Sequence, residues 1–104
     1  MSKYLKVEQL YNKNQFVVED NAHNVVYFQS YNSLVAKYER TTKTLTLGYD
    51  WDYSNTTRKH LYIFIREYCY LPEIDAMIDN ERTKCGAIYK AIKNGLIKYD
   101  SEMI

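Results

Sequence analysis

Glycine is scarce in this chain: three residues, at positions 48, 86 and 95. They are too far apart to form a loop that cradles phosphate, which excludes the common nucleotide-binding motifs. Neither sign of charge is in excess. Fourteen basic against thirteen acidic residues leave a formal charge of +1. A decoy that imitates DNA should be strongly acidic, which this chain is not, and a non-specific nucleic-acid binder is usually clearly basic, which it is not either unless its charges are segregated on the surface. Long hydrophobic runs are also missing. Nothing approaches the roughly 20 apolar residues that span a bilayer, and Met1–Lys6 lacks the apolar core of a signal peptide. The expectation is a cytoplasmic protein whose Cys69 and Cys85 stay reduced. Those two cysteines have only His23 and His60 as companions, at no zinc-ligand spacing, so they are expected as small core residues, with no metal or cofactor. No serine or cysteine stands beside either histidine as a nucleophile would. Asp50 and Asp52 form an acidic pair without a third ligand. An enzyme is not expected.

Tyrosine, by contrast, is abundant: twelve residues against three phenylalanines. Its apolar ring and polar tip suit half-buried sheet faces and binding surfaces alike. An A/T-rich genome would enrich it too, so composition alone leaves recognition and plain sheet packing both open. The hydrophobic and charged fractions, 46% and 26%, are those of a soluble globular protein. At 104 residues the chain is expected to be a single α+β domain, 1–104, with one core.

The first half alternates with period two. Leu5 and Val7 oppose Lys6 and Glu8 in a run over Tyr4–Tyr11. Phe16-Val17-Val18 follows within Gln15–Glu19, then an Asp20-Asn21 turn, then Val25-Val26-Tyr27-Phe28. Leu34, Ala36 and Tyr38 alternate with polar neighbours, as do Leu45 and Leu47, across a short turn at Arg40–Lys43. About five short strands in an antiparallel meander are expected, with Leu34, Ala36, Leu45 and Leu47 on the covered face. The second half changes period. After Ser54, a plausible N-cap, Leu61, Phe64, Ile65 and Tyr68 fall on one helical face. Leu71-Pro72 ends that helix and starts a second, marked by Ile74, Met77 and Ile78. Cys85, Ile88, Tyr89 and Ile92 mark a third, closed by Asn94-Gly95. A short last strand is expected within Leu96–Tyr99. The two or three helices should pack on one face of the sheet.

The candidate binding surface is Tyr53, Ser54, Thr56, Thr57, Arg58 and Lys59. A helix N-terminus offers free N–H groups and the positive end of a dipole; the hydroxyls add donors, and Arg58 and Lys59 add charge. The same segment also fits a loop anchor, with Trp51 in the core and Asp50 and Asp52 neutralising both cations. A second basic patch, Arg82, Lys84, Lys90 and Lys93, lies beside the apolar face of the third helix, where it suits either solvent or an acidic partner.

Phe28-Gln29-Ser30-Tyr31, Ser33 and Ala36, followed by Trp51-Asp52-Tyr53-Ser54, Thr56-Thr57 and Lys59, make a signature. It resembles that of small uncharacterised proteins encoded by phages and prophages of Gram-positive bacteria. Lys93-Asn94-Gly95-Leu96-Ile97 adds a weaker likeness. The resemblance implies a phage setting and no chemistry. With it, the expected function is stoichiometric binding to a host protein in the host cytoplasm, as an anti-CRISPR or other anti-defence factor. A nucleic-acid module using sheet tyrosines with Arg58 and Lys59 is the alternative, and a minor virion structural or assembly protein the third. No membrane partner is expected, and the sequence leaves the oligomeric state open.

Overall fold

A computed structural model describes residues 5–9, 14–31, 33–80 and 84–102, with Leu5, Lys6, Glu8, Lys84 and Cys85 described by backbone alone. The ends of the Tyr4–Tyr11 run, the side chains of Lys84 and Cys85, and Arg82 of the basic patch lie outside the described residues. Five strands come first: β1 (Leu5–Gln9), β2 (Gln15–Asp20), β3 (Val25–Ser30), β4 (Ser33–Glu39) and β5 (Thr44–Leu47). Three helices follow, α1 (Asn55–Tyr68), α2 (Pro72–Asn80) and α3 (Lys84–Lys93), and then a short β6 (Lys98–Tyr99). The sheet order is β1-β2-β3-β4-β5-β6. Pairings are antiparallel through β5, and β6 joins β5 in parallel. A parallel neighbour needs a long crossover, which here is the whole helical layer. The fold is the α+β arrangement read from the sequence. Among the described residues no helix is long and apolar enough to cross a membrane.

Cross-strand partners share a face of the sheet, so the register assigns the sides. Val17, Phe28, Ala36 and Leu47 share the covered face, and all four are fully buried. They pack with Leu61, Phe64 and Ile65 of α1 in one core that continues to Ile74 and Ile78 of α2 and to Ala87, Ile88 and Ala91 of α3. Phe28 and Phe64 stack with ring centroids 5.8 Å apart. Cys69, just past the end of α1, is buried, and its burial pushes the thiol well above the ordinary range.

The sheet departs from alternation at one place. Phe28 pairs with Ala36, but Gln29 pairs with Leu34, so Val35 is an extra residue in β4. This β-bulge reverses the parity of the strand. Leu34, expected on the covered face beside Ala36, therefore stands with Gln29 on the opposite face and is only partly buried. Val35 is fully buried in its stead.

Local chemistry sets the helix ends. Ser54 caps α1, its Oγ accepting from the Thr57 N–H at 3.1 Å. At the other end of the layer, Gly95 has φ +80 and follows α3. The N–H groups of Gly95 and Leu96 donate to the carbonyls of Ile92 and Ala91, the paired bonds of a Schellman motif. A Cβ on Gly95 would meet nothing within 4 Å, so backbone conformation rather than space favours glycine there. Tyr38 ties the α1–α2 link to the sheet: its hydroxyl accepts from the Tyr70 N–H at 3.2 Å.

Candidate functional site

The turn after β5 is tied to β4 by Gly48 N–H donating to Val35 O at 2.8 Å, and it is closed on itself by Trp51 N–H donating to Gly48 O and Tyr53 N–H to Asp50 O. This turn puts Trp51 inside, 3% exposed, and Tyr49 and Tyr53 outside, 69% and 74% exposed. Trp51 is thus the loop anchor, edge-on to the Tyr89 ring of α3 at 5.0 Å. The Tyr89 hydroxyl in turn donates to the Asp52 carboxylate at 2.6 Å. That bond pins the loop to a helix 37 positions further along.

Two open pockets flank Tyr53 and share Asp50 with it. The first, about 530 Å³, is lined by Ser30, Tyr31, Ser33, Val35, Asp50, Tyr53 and Thr57. The Ser33 hydroxyl donates to Asp50 Oδ2 at 3.0 Å, fixing the carboxylate. The second, about 490 Å³, runs over Trp51 between Tyr49, Asp52, Tyr89 and Tyr99. Tyr31, Tyr49, Tyr53, Tyr89 and Tyr99, five of the twelve tyrosines, therefore surround Asp50 and Asp52 on one exposed surface. Among the described residues, the ion pairs lie elsewhere: His23–Asp20, Lys37–Glu39, Arg40–Glu19 and Arg66–Asp79.

The structure divides the segment Tyr53–Lys59. Tyr53 faces the tyrosine surface. Ser54 and Thr57 are used internally: Thr57 is 1% exposed, and its hydroxyl meets Ser30 Oγ at 3.0 Å and Ser54 Oγ at 3.2 Å. Thr56 is half-buried, and its carbonyl meets Nδ1 of the buried His60 at 2.8 Å. The hydroxyls of Ser54 and Thr57 are thus helix-start and core bonds rather than outward donors. Arg58 and Lys59 line a different groove along α1 with Asn55, Tyr62, Ile63, Arg66 and Asp79. Arg58 donates to Asp52 O at 3.1 Å and to Asn55 Oδ1, so the backbone carbonyl of Asp52, not a carboxylate, holds it. Lys90 and Lys93 are exposed in the last turn of α3, where cations suit the dipole.

Several residues of this surface escaped single-residue reading: Tyr31 and Ser33 in and after the β3–β4 turn, and Tyr89 and Tyr99 from the far end of the chain. Tyr31 has φ +54, a left-handed conformation uncommon for an aromatic residue. It is held by its N–H donating to Asn14 O at 2.7 Å and by Gln29 Nε2 donating to its carbonyl at 2.9 Å. Close by, Gln15 pairs across the strands with Ser30 on the covered face. It is fully buried with neither amide atom hydrogen-bonded. The bulge at Val35, the left-handed Tyr31 and the unsatisfied Gln15 all occur at this end of the sheet, and departures from local rules concentrate at functional places.

Among the described residues no group of three or more side chains is arranged to hold a metal. No curated protein and no solved structure matches the chain significantly. The profile of one family spans β1 through α2, residues 3–82, and the chain accordingly belongs to the family of unknown function DUF8033.

Proposed function

We propose that this protein works by stoichiometric binding to another protein, as a phage- or prophage-encoded factor that occupies a host protein in the host cytoplasm. An anti-CRISPR or other anti-defence inhibitor is the kind of factor meant. The observation that carries the binding reading is the surface formed by Tyr31, Tyr49, Tyr53, Tyr89 and Tyr99 around two carboxylates. Tyrosine buries much area with few rotatable bonds, so ordering it on binding costs little, and interface hot spots are enriched in it. Trp51 and the Tyr89–Asp52 bond hold the central loop before a partner arrives, which further limits the entropy lost. The phage setting is supported by the resemblance of the Phe28–Lys59 signature.

The test is capture from host lysate followed by native mass measurement, with wild type beside a Tyr49→Ala/Tyr53→Ala double variant. Both side chains are largely exposed, so the variant should stay folded. Wild type should form a complex of fixed stoichiometry, and the double variant should lose about 2 kcal/mol or more, the size of a hot spot. Binding retained within about twofold, under 0.5 kcal/mol, would move the functional surface elsewhere.

A second reading is favoured by the groove along α1, where Arg58, Lys59 and Arg66 stand in line. Such a stripe suits phosphates of a nucleic acid. Two of its three cations are already engaged, Arg58 with Asp52 O and Arg66 with Asp79. Salt separates the readings: phosphate-dominated binding weakens steeply as salt rises, and a tyrosine interface weakens little.

A further inference from the structure

We infer that the pocket between Tyr31 and Tyr53 receives an arginine side chain of the bound protein; this rests on the protein-binding reading and names what the surface recognises. The pocket is open, about 530 Å³, within the range of ligand sites. Its rim carries two aromatic rings, Tyr31 and Tyr53, 48% and 74% exposed. Its polar lining comprises the Asp50 carboxylate and the hydroxyls of Ser30, Ser33 and Thr57.

Each class of occupant meets this lining differently. An anion would face Asp50 with no lysine or arginine among the described lining residues to offset it. A purely apolar group would strip water from the carboxylate without replacing its hydrogen bonds, which is costly. A cation is the complement. Of the two cationic side chains, the ammonium of lysine is compact and strongly hydrated. The guanidinium is planar, weakly hydrated and able to stack on aromatic faces while donating to a carboxylate. Two rings beside one carboxylate match the second.

The carboxylate is also set for the task. Ser33 donates to Asp50 Oδ2, and none of the ion pairs among the described residues uses Asp50. The Thr57 hydroxyl is committed to Ser30 and Ser54, which leaves Asp50 as the charged acceptor in the pocket. The fold holds one wall of this pocket in unusual backbone: Tyr31 sits at φ +54, and the extra residue in β4 brings Val35 to the pocket lining. Bulges commonly re-aim side chains beside functional sites.

The test uses small probes and no partner protein. N-acetyl-arginine N-methylamide is titrated into the protein and followed by amide chemical shifts, beside the citrulline and lysine analogues. Millimolar binding is expected, with shifts centred on Tyr31, Ser33, Asp50 and Tyr53, and about tenfold weaker binding of neutral citrulline, since charge-assisted hydrogen bonds are roughly twice as strong as neutral ones. Asp50→Asn should remove the preference for arginine over citrulline. Tyr53→Ala, at an exposed position, should weaken arginine binding by several-fold while the fold persists. Equal binding of citrulline, a preference for lysine, unchanged binding in Tyr53→Ala, or shifts centred elsewhere would each overturn the assignment. Those outcomes leave the protein-binding reading standing. Conversely, a positive titration with no protein complex in the capture experiment would sink that reading and keep the guanidinium site.

Discussion

The two halves of α1 meet the sheet in opposite ways. Its later turns set Leu61, Phe64 and Ile65 in one apolar core with Val17, Phe28 and Leu47. Its first turn sets Thr57 against Ser30, with Gln15 alongside and two amide atoms unpartnered. One half is packed for stability. The other keeps buried polar groups next to the surface that we propose binds a partner. On that proposal stability and recognition divide along a single helix, and each half should respond differently to substitution.

The largest effect should come from the apolar half. Phe64→Ala removes a fully buried ring stacked on Phe28 and should cost about 3–5 kcal/mol in denaturant melts. A loss below about 1 kcal/mol would mean that this face does not carry the fold. In the polar half, Thr57→Val keeps the shape and removes the hydroxyl that Ser30 and Ser54 share. Leaving the buried Ser30 hydroxyl unsatisfied should cost about 1–3 kcal/mol. Gln15→Met reverses the sign. It replaces an unsatisfied buried amide with an apolar chain of similar length and should stabilise by about 1 kcal/mol. If Gln15→Met instead destabilises, the amide is contributing more than its bonding shows, and the contrast between the halves weakens.

The smallest effects concern pH, and they oppose each other. The Asp20 carboxyl is held below its usual range chiefly by the His23 side-chain hydrogen bond. Its contribution is present above the ordinary carboxylate range and lost as pH falls through the lowered value. Asp75 is raised, first by burial, with Arg66 pulling the other way, and its Oδ1 is buried without a partner. Its ionised form therefore opposes folding, and that opposition fades as pH falls through the raised value toward the ordinary one. Asp75→Asn should be more stable than wild type at neutral pH, with the gap closing on acidification. Urea midpoints of both proteins at neutral and acid pH measure it; a gap that widens in acid reverses the assigned sign.

Much of the apolar half could be read from the sequence because its rules are local. Leu61, Phe64 and Ile65 share a helical face where their spacing predicts it, and the helix ends at Ser54 and Gly95 follow equally local rules outside that half. The polar half was read less well, for physical reasons. The bulge at Val35 leaves no mark in the alternation of Leu34, Ala36 and Tyr38, so alternation alone puts Leu34 on the wrong face. Thr57 looked like an outward donor because Ser30, its partner, lies 27 positions earlier. The Tyr89–Asp52 bond and Tyr99 belong to the site only through tertiary folding. A surplus of tyrosine was legible, and where it gathers was not.

The parallel pairing of β6 with β5 has a consequence for how the molecule is assembled in time. The meander is made of neighbours, and such contacts form early because little loop entropy is lost in closing them. Thr46 meets Lys98 and Leu47 meets Tyr99 only after roughly fifty intervening residues have been drawn together, which is entropically dearer. The Asp100 N–H then latches onto Leu47 O at 2.9 Å. Tyr99 lines the second pocket beside Tyr49 and Tyr53, so the tyrosine surface is complete only with this long-range pairing in place. The second pocket thus depends on a long-range pairing that the first, lined by residues 30–57, does not need.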